Sequence, residues 1–198
     1  MERQFSLSST SIRVALLWMV MGILPLALSA QSFKLDNGQS KLTVTGTSSL
    51  HDWEEVAEQK SGTIALDLGA ETPTIQSLSL AVEAESLKSG KSGMDKNTYK
   101  ALNTDKYKQI TYKFERVKSI SASGSGHKVV TVGQLTISGK TNQVEITMDL
   151  GVDGDKVSLK GSKALKFTEF GLEPPKALMG TIKTGDQIVV HFDTLWKA

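Results

Sequence analysis

Apolar and polar residues alternate one for one, in short stretch after short stretch from Leu42 to Trp196, and no helical period accommodates that pattern. Leu42 and Val44 share one face of 41–45, Ile64, Leu66 and Leu68 one face of 63–68, and Leu78, Leu80, Val82 and Ala84 one face of 77–84. Ile110, Tyr112 and Phe114 continue the pattern, followed by Val130 and Val132, then Leu135 and Ile137. Val144, Ile146, Met148 and Leu150 form the next run, Val157 and Leu159 another, and Leu165 and Phe167 another. Ile188, Val190, Phe192, Thr194 and Trp196 close the chain in a single phase. The phase changes between Val132 and Leu135, and Gly133 is read as a bulge that changes it. These are half-buried antiparallel strands, about eight or more of them. Turn clusters separate them: DNGQ at 36–39, ASGSG at 122–126, SGKTN at 138–142 and DGDK at 153–156. With one apolar face per strand and short links, two architectures remain, two packed sheets or a closed barrel.

The alternation breaks once. Met94, Thr98, Ala101 and Leu102 recur at helical spacing behind Ser92, which stands as N-cap with Asp95 three residues on. A helix over 94–103 is therefore predicted between the strands of Leu78 and Ile110, where it closes one end of a barrel. Tyr99 lies on a face adjacent to Asp95. A second helical turn is expected after Pro174-Pro175, through Ala177, Leu178 and Met179, ended by Gly180.

Residues 1–30 differ in kind. Arg3 and Arg13 precede the charge-free run 14–30, which ends in the small residues Ala27, Ser29 and Ala30. That is the layout of a secretory signal peptide cleaved after Ala30, leaving a domain 31–198 in the periplasm or outside the cell. A retained anchor is the alternative, because the run is near the shortest length that spans a bilayer. The 198 residues include no cysteine, which suits folding in an oxidising space and leaves no acceptor for a lipid on a processed N-terminal cysteine.

The same absence excludes disulfides, thiol nucleophiles and cysteine-held metals. Lys plus Arg number 23 against 21 Asp plus Glu, so no bulk positive field invites nucleic acid. His51, His127 and His191 share no ligand spacing, and neither a metal nor a cofactor is expected. No serine sits in an elbow motif and no acidic pair marks a cleft, so no catalytic residue is assigned. His51-Asp52-Trp53 is the most unusual local cluster. It is either a rim where imidazole and indole meet a ligand head group, or a tryptophan plugging a barrel beside a histidine held by backbone, and the second is favoured. Lys88 and Lys91, ahead of the helix, either attract an anionic head group or simply solvate a loop.

An apolar lining stands out from this background. Leu80, Val82, Tyr112 and Phe114 project inward in this strand assignment, as do Ile146, Met148 and Phe192. About eight strands enclose either packed side chains or one apolar ligand, and core packing is the default.

Three stretches carry a family resemblance. Phe33-Lys34-Leu35-Asp36 with Gln39-Ser40-Lys41-Leu42 looks like the opening segment of the YceI-like family. Asp95 through Phe114, with Asp105-Lys106-Tyr107 and Ile110-Thr111-Tyr112-Lys113-Phe114, looks like its helix, turn and central strand. Gly133-Gln134-Leu135-Thr136-Ile137-Ser138-Gly139-Lys140-Thr141 looks like its hairpin. The ordered set spans nearly all of 31–198. The resemblance implies an all-β, lipocalin-like antiparallel β-barrel of about eight strands with one or two short helices. It also implies a non-enzymatic protein that holds a long-chain isoprenoid, quinone-like lipid or related amphiphile, with tyrosines or a histidine near the mouth orienting its polar end. The candidate ligand-binding residues are the inward set above together with Tyr99, His51 and Trp53. Transient contact with a membrane surface and pairing into a homodimer are compatible with this reading. A filled structural or stress-related barrel is the alternative.

Overall fold

The computed structural model describes residues 30–198, except for the side chains of Ala177 and Leu178. The expected leader, 1–29, and its cleavage lie outside the described residues. No helix among those residues is long and apolar enough to cross a membrane.

Three of the barrel strands are each interrupted once. β1 (Gln31–Leu35) and β2 (Lys41–Ser48) succeed one another along one edge of β12 (Ile182–Lys197), separated by a 3-10 turn at Asn37–Gln39. β3 (Trp53–Ala57) pairs with β2, and β4 (Lys60–Asp67) pairs with β1. β5 (Thr74–Glu83) and β6 (Leu87–Lys88) repeat the arrangement against β4 and β3. β7 (Gln109–Ser123), β8 (Gly126–Ile137), β9 (Lys140–Asp153) and β10 (Lys156–Lys166) complete the wall up to β12. Counting each interrupted pair as one, the barrel is closed and has eight strands, all antiparallel. Lys176–Ala177, β11, pairs with the start of β12.

The three interruptions lie side by side and are stitched together. Glu58 N–H donates to Ser86 O (3.0 Å), Glu83 N–H to Gln59 O (3.0 Å) and Lys60 N–H to Asn37 Oδ1 (3.1 Å). Lys60 Nζ is buried there, donating to Asn37 Oδ1 at 3.0 Å and Ala57 O at 3.1 Å, and its burial lowers its pKa. These bonds satisfy the backbone groups that leave the ladder where the strands bend.

At the end where β1 meets β4 the barrel is solid. Phe33, Ile64, Leu66, Val129 and Val157 have no exposed surface, and Leu150 and Trp196 retain 1%. Above that end the wall splays. β9 and β10 pair only from Asp153–Lys156 as far as Met148–Gly161, and the gap beyond is bridged by a 3-10 turn, Phe167–Phe170, held by Asn142 Nδ2 donating to Glu169 O (2.8 Å). The helix α1 (Ser92–Leu102) packs against β6 on the opposite side of the wall.

Several local expectations are corrected. Gly133 is not a bulge: β8 keeps unbroken register with β9 from His127 to Ile137. Its inward residues are Val129, Thr131, Gly133, Leu135 and Ile137, while Val132, also buried, stands apart from the core cluster. The inward phase was hidden in the sequence because Thr131, fully buried, is polar; its hydroxyl meets Tyr112 Oη at 3.1 Å. The irregularities lie instead in β7, where register shifts between Phe114 and Arg116 and again between Val117 and Ser119. Gly133 is required for another reason, since a Cβ there would stand 2.5 Å from Tyr112 Oη and 2.6 Å from Lys113 O.

The helix begins at Ser92 rather than Met94, and Lys91 occupies the cap position without a side-chain bond. Asp95 reaches back instead to the Ser89 N–H (2.9 Å) and hydroxyl. The turn after the prolines is a 3-10 turn at Leu178–Gly180 in which Met179 has φ +52, so it does not form a helix. Phe167 leaves the strand for the bridging turn. Strand β3 shows no hydrophobic alternation, because Glu55 occupies an inward position.

Candidate ligand-binding cavity

The splayed upper half encloses a cavity of about 540 Å³. Its walls come from alternate residues of β2, β5, β9 and β12, among others: Leu42 and Val44, Leu78, Leu80 and Val82, Ile146 and Met148, Val190 and Phe192. Trp196, Tyr112 and Thr194, all buried, line it on the side of the solid core. The floor is polar in composition and fully paired within itself. Trp196 Nε1–H donates to Thr194 Oγ1 (3.0 Å), Thr194 donates to Leu159 O (3.1 Å), and the Tyr112 hydroxyl is taken by Thr131. Gly161 leaves room for the Phe192 ring, which would lie 2.8 Å from a Cβ at that position.

The upper rim is formed by α1, the 48–53 loop, the bridging turn and the start of β12. Trp53 lies across Gly46 of the neighbouring strand and anchors itself by Nε1–H to Thr47 O (3.1 Å). His51 is exposed beside it, with Nδ1 bonded to Asp52 O (2.7 Å), and Leu50 is 66% exposed. Lys91, Lys163, Lys166 and Lys176 also line the cavity. Lys163 shares the inward phase of Leu159 and Leu165 on β10.

Of the residues singled out from the sequence, Leu80, Val82, Tyr112, Ile146, Met148, Phe192, His51 and Trp53 meet at this cavity. Tyr99 does not: its hydroxyl donates to Glu85 O (2.8 Å) and accepts from Lys88 Nζ (2.5 Å), so Lys88 is engaged there as well. Phe114 packs against the buried core and contributes nothing to the cavity wall. Tyr112 is at the floor with its hydroxyl engaged, and the expectation that tyrosines orient a polar end at the mouth is not met by either residue. Lys91 lies on the rim as a candidate for an anionic head group.

Among the lining residues that the sequence did not single out, one is a buried carboxylate. Glu55, 2% exposed, points inward from β3 between Trp53 and Ala57 and borders the cavity. Its Oε1 accepts from Thr98 Oγ1 of α1 (2.5 Å). Burial raises its pKa above the usual carboxylate range, opposed by the Thr98 bond and reinforced by Asp95. The only sequence signal was the alternation Trp53, Glu55, Ala57, visible once a carboxyl is allowed on an inward face.

The sign of the resulting pH effect follows. A carboxyl whose folded pKa is raised supports the fold fully below its unfolded pKa and loses that support as pH rises through the folded value. Asp95, held low chiefly by Ser89, acts the other way: its support is present above its unfolded pKa and lost as pH falls through the folded one. Glu55→Gln is therefore expected to gain stability relative to the unsubstituted protein as pH rises from weakly acidic to weakly alkaline. Urea unfolding at a series of pH values checks this, and parallel stability curves for the two proteins would count against it.

A half-hollow, antiparallel eight-stranded barrel with an apolar interior and a polar rim places the chain among lipocalin-like barrels. The model of the YceI-like domain matches residues 33–195, and the chain belongs to that family. No curated protein matches the sequence. Among solved structures, BcnA of Burkholderia cenocepacia superposes with a TM-score of 0.66 at 17% identity, covering 81% of this chain and 98% of that one. A polyisoprenoid-binding domain from Saccharophagus degradans, implicated in plant cell wall breakdown, gives 0.66 at 12% identity, covering 84% and 98%. The YceI protein of Campylobacter jejuni gives 0.57 at 14% identity, covering 71% and 82%. At these identities the likeness establishes the shared fold.

Proposed function

We propose that this protein is a periplasmic or secreted, non-catalytic binder of one long-chain isoprenoid, quinone-like or other amphiphilic lipid, held in the upper half of the barrel. The cavity carries the reading. Its volume lies within the roughly 300–1,000 Å³ typical of small-molecule sites, and its walls are apolar along the strands. A chain entering it leaves water at about 25 cal/mol per Å² of apolar surface. The self-paired floor offers no hydrogen bond to a ligand's buried end, which suits a hydrocarbon tail pointing down. The polyisoprenoid-binding domain among the structural neighbours supports the same class of ligand.

Among the described residues no cluster of His, Cys, Asp and Glu is arranged to hold a metal. Binding needs neither a metal nor a broken bond. Native mass spectrometry of the protein purified from its own host without detergent, followed by extraction, tests the proposal. A stoichiometric long-chain lipid is the expected result. A ligand-free protein that also takes up no isoprenoid or fatty acid on titration would overturn it in favour of a structural barrel.

A further inference from the structure

The lining polar groups differ in one respect. On the floor, the hydroxyls of Tyr112, Thr131 and Thr194 and the Trp196 indole N–H are bonded to one another or to backbone. On the wall under α1, Glu55 is more than nine-tenths buried, yet its only side-chain hydrogen bond among the described residues goes through Oε1 to Thr98. Oε2 has no protein partner, and the residue borders the cavity. Oε2 keeps accessible surface, so it is open on the cavity side and free to meet a ligand group there.

We propose that Glu55 is the head-group contact of the cavity, and that the ligand carries an uncharged oxygen or nitrogen group, such as a hydroxyl, carbonyl or amide, which hydrogen-bonds its free carboxyl oxygen. This deepens the lipid-binding proposal and rests on it.

Geometry and charge agree. Glu55 lies two residues below the rim tryptophan on β3, so a head group there leaves the whole depth of the cavity, down to Tyr112 and Trp196, for the tail. The nearby helix contributes Asp95, a second acidic group, to its surroundings. An anionic head at Glu55 would meet a carboxyl directly, while the inward Lys163 of the same pairing row stands three strands away and Lys88 offsets Asp95, and desolvating it there would be costly. A protonated carboxyl donates to a carbonyl, and an ionised one accepts from a hydroxyl or amide, so an uncharged head is served in either state. The lining lysines, Lys91, Lys166 and Lys176 with the inward Lys163, are the competing choice, since they would hold a phosphate or carboxylate in place of an uncharged head.

Three ligands with one saturated C20 isoprenoid tail separate the outcomes: phytanol, phytanyl phosphate and the hydrocarbon phytane, titrated into delipidated protein and followed by tryptophan fluorescence. The alcohol is expected to bind about three- to tenfold tighter than the hydrocarbon, the range of one net hydrogen bond, and tighter than the phosphate. The pair Glu55→Leu with Thr98→Val removes both partners together and orphans no donor, and in it the alcohol and hydrocarbon should bind alike. Glu55→Gln should retain the alcohol's advantage. Phosphate binding as tight as alcohol binding in the unsubstituted protein overturns the head-group assignment, whether or not the double variant folds. So does an alcohol preference that survives the double variant. Absence of binding by all three overturns the lipid proposal itself, which is a distinguishable result.

Discussion

Trp196→Ala is expected to lower the unfolding free energy by about 3–5 kcal/mol, enough to consume much of the margin of an ordinary domain. Trp196 is 1% exposed and sits where the hollow upper barrel meets the solid lower one, touching both. Its indole is held by Thr194, which is itself bonded to the carbonyl of Leu159. Strand β4 makes way for the ring at Gly62, where a Cβ would lie 3.0 Å from two ring atoms. Truncation opens the existing cavity downwards and leaves Thr194 without one of its partners. Chemical denaturation measures the loss, and Leu50→Ala, on the exposed rim, should stay within about 0.5 kcal/mol as its control. A loss below about 1 kcal/mol for Trp196→Ala would mean that the lower core closes over the gap, contrary to the division described here.

Val190→Trp should separate binding from folding. Val190 faces the cavity from β12, paired in register with Val44 on one side and Lys163 on the other. In a packed core such an enlargement costs about 1–3 kcal/mol, but here the indole enters space that the protein itself leaves empty. Isoprenoid affinity is expected to fall at least about tenfold, equivalent to about 1.4 kcal/mol, with a loss of stability below about 1 kcal/mol. Titration and denaturation of the same preparation provide both numbers. Undiminished binding would place the ligand elsewhere, and collapse of the fold would mean that the upper half is packed rather than hollow.

The alternation at 77–84, 144–150 and 188–196 was legible because long strands repeat the period often enough to show it. Strand β3 was not legible: it has five residues, and its inward series Trp53, Glu55, Ala57 includes a charge. The phase of β8 was misread through Val130 and Val132, since an apolar outer residue and a buried, hydrogen-bonded Thr131 look inverted when only hydrophobicity is counted. Tyr99 and Phe114 were drawn into the candidate site by their type. Lys88 and the carbonyl of Glu85 engage the first, and the core below takes the second.

The sequence alone determined that this chain must bury one face of each of many short strands without disulfides, and its ordered motifs pointed to the family. Those are consequences of local period and residue type. Only the tertiary structure decided that the barrel is solid at the end where β1 meets β4 and hollow towards the other. It also decided that a carboxyl from β3 and a hydroxyl from α1, 43 residues apart, meet at the cavity wall. Whether inward side chains touch across a barrel depends on where strands bend and splay. That is set by pairing between distant segments, which no local alternation encodes.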